Sequence, residues 1–94
     1  MNEGFEWDET KAAENYAKHG VAFEMATAVF RDPFAIERLD DRENYGEDRF
    51  ILIGLAGGTL QSVVYTERDG RVRLISARQA TRHGETRRPK GRWR

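Results

Sequence analysis

Apolar residues recur at helical spacing in the first third of the chain and predict two helices. Between Asp8 and Gly20 the apolar positions are Ala12, Ala13, Tyr16 and Ala17. Asp8 suits the N-cap, and Gly20 suits a left-handed C-terminal cap. A second stretch over 22–30 shows the same spacing, and Pro33 stops it because proline cannot continue a helix.

The pattern then changes to that of strands joined by tight turns. A mixed segment predicts an edge strand, and the near-continuous apolar run FILIGL predicts a central strand that is covered on both faces. Gly57-Gly58 and Asp69-Gly70 predict hairpin turns, the second of type I′. The predicted strands are Phe34–Leu39, Phe50–Leu55, Thr59–Thr66 and Arg71–Ala77.

These elements predict an α+β fold in one domain over residues 1–94. Two N-terminal helices should pack on one face of an antiparallel sheet of about four strands, which leaves the other face for a ligand. Phe5–Trp7 could form a further short strand. Gly84 and Pro89 indicate that the chain ends in a short basic helix or tail, loose over about 84–94.

Composition excludes several classes of site. The chain has no cysteine, which rules out disulfides, cysteine-ligated zinc and a thiol nucleophile. Its first residues are acidic and polar, unlike a secretory signal, and its longest apolar run is too short to span a bilayer. We therefore expect a soluble cytoplasmic protein without a membrane partner.

Charge is balanced over the whole chain but strongly divided along it. Residues 1–70 carry 7 Lys or Arg against 15 Asp or Glu, whereas residues 71–94 carry 9 against a single acid, Glu85. Such a division suggests an anionic partner for the C-terminal part. The alternative is that the two parts attract each other within the fold.

The segment 71–83 concentrates this positive charge without any acid. It contains Arg71, Arg73, Arg78 and Arg82. Arginine offers a planar fork of donors that matches phosphate oxygens, and Ser76 could add a hydroxyl. The alternative is that each arginine is a surface residue paired with an acid of the loop at 40–48.

Regular strand alternation raises a difficulty for a phosphate site here. It places Ser76 and Arg78 on one face and Arg73 on the other. Arg73 and Arg78 can then converge only if the strand twists, bulges or ends between them. A two-residue hairpin predicts the strand pairs Arg68–Arg71, Thr66–Arg73 and Val64–Ile75.

Other candidates are isolated side chains. The two histidines, His19 and His83, lie in no metal-ligand spacing, and no phosphate-binding glycine loop is present. His19 is explained by the favourable position of a cation at a helix C-terminus. His83 could act as an acid–base group near neutral pH. Tyr65 could stack on a base or belong to the core.

Two segments together resemble the BrnT family of bacterial toxins. They are FEWDETKAAENYAKHGVAFEMATAVFRDP near the N-terminus and VVYTERDGRVRLISARQATRH near the C-terminus, with RFILIGLAGG between them. The resemblance implies a RelE-like ribonuclease of a type II toxin–antitoxin system. It also implies a BrnA-type antitoxin whose ribbon-helix-helix part binds DNA, so that DNA is contacted only indirectly.

Together with the resemblance, the arginine-rich segment 71–83 suggests that the chain cleaves RNA by 2′-hydroxyl attack, with no metal or cofactor. Arg73 and Arg78 would hold the scissile phosphate. Ser76 would donate a hydrogen bond to a phosphate oxygen or orient the arginine, and His83 would transfer a proton. The residues assigned to RNA binding are Tyr65, Arg71 and Arg82.

Departures from the family pattern leave other functions open. Gly84 intervenes before a displaced Glu85, and Pro89 interrupts the final run of arginines. The chain could therefore be a non-catalytic subunit that binds the antitoxin and completes an operon-repressing complex. Direct DNA binding is less favoured, since the arginines lie on a strand and in a tail rather than on a recognition helix.

Overall fold

A computed structural model describes residues 4–80 of the chain. Within them, no helix is long and apolar enough to cross a membrane. The elements are β1 (Phe5–Glu6), α1 (Glu9–His19), α2 (Phe23–Ala26), a 3₁₀ turn (Thr27–Arg31), β2 (Ile36–Asp40), β3 (Arg49–Ala56), β4 (Thr59–Arg68) and β5 (Arg71–Gln79). The predicted C-terminal helix or tail lies outside the described residues.

The α+β class is confirmed, but the prediction of four antiparallel strands is wrong. The sheet has five strands in the order β1-β5-β4-β3-β2. β1 pairs with β5 in parallel, Phe5 opposite Val72, whereas the other pairs are antiparallel. The free edge of β5 needs hydrogen-bond partners, and the chain before α1 supplies them: the Val72 N–H donates to the Gly4 carbonyl at 3.0 Å.

The ends of α1 agree with the sequence. The Asp8 carboxylate accepts a hydrogen bond from the Lys11 N–H at 3.0 Å, and Gly20 adopts a φ of 72°. The second helix, predicted over 22–30, is only four residues long and continues as the 3₁₀ turn. Ala22 provides no side-chain cap there, and its carbonyl accepts hydrogen bonds from the N–H groups of Met25 and Ala26 at 3.1 Å.

The core lies between the helices and one face of the sheet. Trp7 and Phe23 meet edge to face with ring centroids 5.8 Å apart. The buried apolar residues of this cluster are Trp7, Val21, Phe23, Ala26, Val29, Leu52, Ala56, Val63, Tyr65, Leu74 and Ala77. Within residues 4–80, no helix lies on the opposite face of the sheet.

A bulge in β5 changes which side chains share a face. The predicted pairs Arg68–Arg71 and Thr66–Arg73 are confirmed, but Val64 pairs with Ser76, so the predicted pairing of Val64 with Ile75 is wrong. Ile75 is the extra residue, left without a partner in β4. One additional residue reverses the alternation that follows it, so Arg73, Ser76 and Arg78 all lie on the face away from the helices.

A close contact fixes the start of β2. A Cβ on Gly54 would lie 2.9 Å from the Ala35 Cβ. The connection between the 3₁₀ turn and β2 therefore packs directly on the β3 backbone. The Asp32 carboxylate accepts hydrogen bonds from the N–H groups of Leu55 at 2.8 Å and Phe34 at 2.9 Å. These bonds lower the pKa of Asp32. The connection therefore sets the register of β2 against β3.

Candidate functional site

A groove of about 390 Å³ lies on the face of the sheet away from the helices. We call it the arginine groove. Its floor is formed by β3, β4 and β5, and its rim by β2 and the end of α1. The described residues that line it are His19, Arg38, Arg42, Ile51, Ile53, Ser62, Val64, Ser76 and Arg78.

Strand register brings these residues together from distant parts of the chain. Arg38, Ile51, Val64 and Ser76 form one row across four strands. Ile53, Ser62 and Arg78 form part of the next row. Directly opposed side chains lie about 5 Å apart and those in adjacent rows about 7 Å. The two rows therefore hold two serine hydroxyls and two guanidinium groups in one small area.

The groove is positively charged. Neither Arg38 nor Arg78 forms an ion pair with any residue in 4–80. Arg42 is different, since its two nitrogens lie 2.6 and 2.8 Å from the Asp40 carboxylate oxygens. These bonds lower the pKa of Asp40 to about 2 and raise that of Arg42. No described residue of the lining is acidic.

His19 reaches the groove because Asn15 ties α1 to β5. The Asn15 Nδ2 donates to the Ala77 carbonyl at 2.8 Å, and the Ala77 N–H donates to Asn15 Oδ1 at 3.1 Å. Nδ2 also donates to the Val21 carbonyl at 3.1 Å. This buried amide bonds to β5 as a neighbouring strand would, and it holds the last turn of α1 beside Arg78.

Arg71 and Arg73 have local partners instead. Both lie 3.2 Å from the Glu6 carboxylate, and Arg71 also donates to the Phe5 carbonyl at 2.9 Å. Arg71 and Arg73 are therefore surface arginines in ordinary ion pairs, as the alternative interpretation of the sequence expected. Their acid comes from β1, however, and not from the loop at 40–48. Arg73 shares a face with Ser76 but lies outside the lining of the arginine groove.

Tyr65 is placed in the core, on the face opposite Ser76 and Arg78. It is 6% exposed, and its ring packs against Phe30 and Phe50 at centroid distances of 5.0 and 5.4 Å. Burial and the nearby Glu37 raise its pKa. The structure therefore does not bring Tyr65 to the groove. Arg82 and His83 lie outside the described residues.

A second cavity has the opposite charge. It occupies about 370 Å³ within the segment from Leu39 to Asp48. Its described lining includes the acids Asp40, Asp41, Glu43, Glu47 and Asp48 and no cation. This cavity would repel phosphate, which leaves the arginine groove as the better anion site of the two. Within residues 4–80, no three histidine, aspartate or glutamate side chains are grouped to hold a metal ion.

The sequence did not point to His19, Arg38 or Ser62. Arg38 could have been found by aligning β2 with the apolar run of β3, since opposing positions then share a face. Ser62 follows from the same alignment. His19 had no comparable signal, because nothing local indicates that the end of α1 lies beside β5.

The groove has the chemistry of a phosphate-binding site. Two guanidinium groups and two hydroxyls supply donors for phosphate oxygens. Ile51 and Ile53 are each only 7% exposed and form an apolar floor. Such a floor excludes water and strengthens electrostatic contacts above it.

Comparison with protein families adds one finding. A family model described as "Ribonuclease toxin, BrnT, of type II toxin-antitoxin system" matches residues 7–84, which is 78 of the 94 residues. The match includes every described residue of the arginine groove. No individually curated protein matches the chain significantly.

Proposed function

The chain belongs to the BrnT family of ribonuclease toxins of type II toxin–antitoxin systems, and on that premise we propose that it cleaves RNA in the arginine groove and so inhibits translation. Membership of the family implies RNA as the substrate and an antitoxin as the partner. The observation that carries the placement of the site is the pair Arg38 and Arg78. Both face one groove, and neither is neutralised within residues 4–80.

In the proposed reaction the 2′-hydroxyl of a ribose attacks the adjacent phosphorus. Negative charge then accumulates on the phosphate oxygens, and stabilising such charge is usually the largest catalytic contribution. Arg78 and Arg38 hold these oxygens with their planar donor forks. Ser76 donates a hydroxyl hydrogen bond to the same phosphate. The proposal assigns no metal to this step.

The remaining predicted residues receive flanking roles. Arg73 and Arg71 would contact the RNA backbone beside the cleavage point, in competition with Glu6, which already holds both. Surface ion pairs of this kind are weak, so a phosphate can replace the carboxylate. The roles of Arg82 in binding and of His83 in proton transfer rest on the sequence and the family resemblance, because both residues lie outside the described residues 4–80.

The proposed partner is a BrnA-type antitoxin. In this proposal it covers the arginine groove and contacts operator DNA through its own ribbon-helix-helix part. A toxin whose anion site is occluded by its partner cannot bind RNA, which would account for neutralisation. Adding the antitoxin should therefore prevent binding of RNA to the purified chain.

Cleavage of RNA by the purified chain tests the proposal. Arg78→Ala should lower the cleavage rate about 100-fold or more, as expected when one donor to a developing charge is removed. Chelation by EDTA should leave the rate unchanged. Arg68→Ala is the matched control, because Arg68 is an exposed arginine of the same sheet that pairs with Glu47 at 2.9 Å, away from the groove.

An Arg78→Ala protein with full activity would place the chemistry elsewhere. A wild-type chain that binds the antitoxin but cleaves no RNA would instead identify a non-catalytic subunit of the repressor complex.

A further inference from the structure

We infer that His19 takes the proton from the attacking 2′-hydroxyl, an inference that rests on the proposed ribonuclease function. The chain contains two histidines, His19 and His83. His19 is an exposed residue that lines the arginine groove together with Ser76 and Arg78. It therefore stands on the same surface as the groups that would hold the phosphate.

The imidazole of His19 is not needed to finish α1. Gly20 adopts the left-handed conformation and its N–H donates to the Tyr16 carbonyl at 2.8 Å. Asn15 satisfies the Val21 carbonyl just beyond. Lys18 already supplies a cation to the last turn of the helix. Within residues 4–80, no hydrogen bond or ion pair holds the His19 ring, so both nitrogens remain available.

The other charged groups around the groove cannot accept a proton. They are Arg38 on β2, Arg42 after β2 and Arg78 on β5, while Lys18 precedes His19 on α1. Guanidinium groups remain protonated in proteins and act only as donors. The described lining holds no carboxylate. Imidazole is therefore the one side chain of this lining suited to act as a base.

Water is the only reactant that this cleavage step needs besides the RNA. The O2′–P bond forms, the P–O5′ bond breaks, and the 2′-hydroxyl proton passes to a ring nitrogen of His19. The departing 5′-oxygen takes a proton from water, and the imidazolium returns its proton to the hydroxide left behind. The products are a 2′,3′-cyclic phosphate and a 5′-hydroxyl. Attack and departure occur in line on opposite sides of phosphorus, so one imidazole serves only the attacking oxygen.

Rate profiles of two histidine variants against pH test this inference. Wild-type cleavage should rise with pH and then level off, which is the profile of a reaction that needs a general base. His19→Gln should lose about 100-fold or more in rate and should lack the rising limb. His83→Gln changes the other histidine and should keep the rising limb. Glu14→Gln is the matched control: Glu14 is exposed on the same helix outside the groove lining, so this variant should keep both the rate and the limb. Binding of a 2′-O-methyl RNA, which cannot be cleaved, should be equal in the wild type, His19→Gln and Glu14→Gln.

A second variant separates proton transfer from a structural role. His19→Ala should regain part of its activity when free imidazole is added, whereas a damaged fold would not respond. Full activity of His19→Gln, or loss of the limb only in His83→Gln, would overturn the inference while leaving the ribonuclease proposal intact. A wild-type chain that cleaves no RNA would overturn both.

Discussion

At the scale of single residues, the arginines of the described chain fall into groups according to their ion-pair partners. Arg42 is held by the buried Asp40, and Arg71 and Arg73 share Glu6. Arg38 and Arg78 have no ion-pair partner in residues 4–80 and face the groove. Local carboxylates therefore decide which of these arginines must exchange an ion-pair partner before they bind a phosphate.

Asp40→Asn should reduce stability at neutral pH and much less in acid. The pKa of Asp40 is lowered from 3.8 to about 2 in the folded protein. Its contribution is therefore complete above pH 3.8 and is lost as the pH falls towards about 2. Urea unfolding at pH 7 should show a loss of about 1–2 kcal/mol, allowing for solvent screening of the exposed Arg42.

The control for this experiment is Asp41→Asn, which changes an exposed neighbouring carboxylate. It should alter the free energy of unfolding by less than about 0.5 kcal/mol. A deficit of Asp40→Asn that stays constant from pH 7 to pH 3 would contradict the role assigned to the Asp40 charge.

At the scale of elements, side chains extend the sheet where strands end. Asn15 bonds both backbone groups of Ala77 on β5, and Asp32 bonds the Leu55 N–H on β3. Each satisfies backbone groups beyond the reach of the short outer strands. The bulge at Ile75 acts on the same element, since it turns Ser76 and Arg78 towards the groove. The shape of β5 is thus inseparable from the site.

Asn15→Ala should destabilise the protein by about 2–4 kcal/mol, because it leaves two backbone groups of the fully buried Ala77 without partners. Urea unfolding measures the loss. RNA cleavage should fall as well under conditions where the variant is folded, since α1 carries His19. Glu14→Ala, on the exposed side of the same helix, should change stability by less than about 0.5 kcal/mol. Equal stability of the two variants would contradict the role of the Asn15 amide.

At the scale of the whole molecule, charge is separated between surfaces. The acidic cavity after β2 and the arginine groove are distinct sites. The basic residues after position 70 are numerous, but two of those in β5, Arg71 and Arg73, already share the single carboxylate of Glu6. Affinity for RNA should therefore depend on groove arginines contributed by both halves of the chain, including Arg38.

The salt dependence of RNA binding tests this view. With single-stranded 2′-O-methyl RNA, each phosphate contact contributes about 0.7 to the slope of log affinity against log salt. Arg38→Ala should reduce that slope by about this amount. Arg68→Ala, whose guanidinium pairs with Glu47, should leave it unchanged. An unaltered slope in Arg38→Ala would show that Arg38 makes no phosphate contact.

Much of the fold could be predicted because its signals are local. The Asp8 and Gly20 caps of α1, both hairpin turns and the apolar run of β3 all appear in the structure where the residues indicated. The parallel strand β1 was only a possibility, since two residues carry too little pattern to show what they pair with. The bulge was likewise hidden, because an unpaired Ile75 looks like any other strand residue.

The residues of the candidate site are likewise of two kinds: those that a local sequence pattern indicates and those that only the fold brings together. Ser76 and Arg78 were found from sequence because a cluster of arginines without acids is visible in a single segment. His19, Arg38 and Ser62 were missed because they belong to other elements and meet that segment only through pairing. The sequence leaves open whether Tyr65 binds a base or belongs to the core, since an aromatic residue in a strand has no local mark of the face that it occupies. The structure places its side chain in the core.

The sequence by itself determined helix α1, the two hairpins, the family and the basic character of the last strand, because caps, turns and charge are properties of neighbouring residues. Tertiary structure alone decided which arginines of residues 4–80 have an ion-pair partner, and on which face of the sheet they lie. The physical reason is that register and ion pairing depend on residues far apart in the chain: one extra residue in β5 reverses a face, and Glu6 meets Arg73 only when β1 joins the sheet.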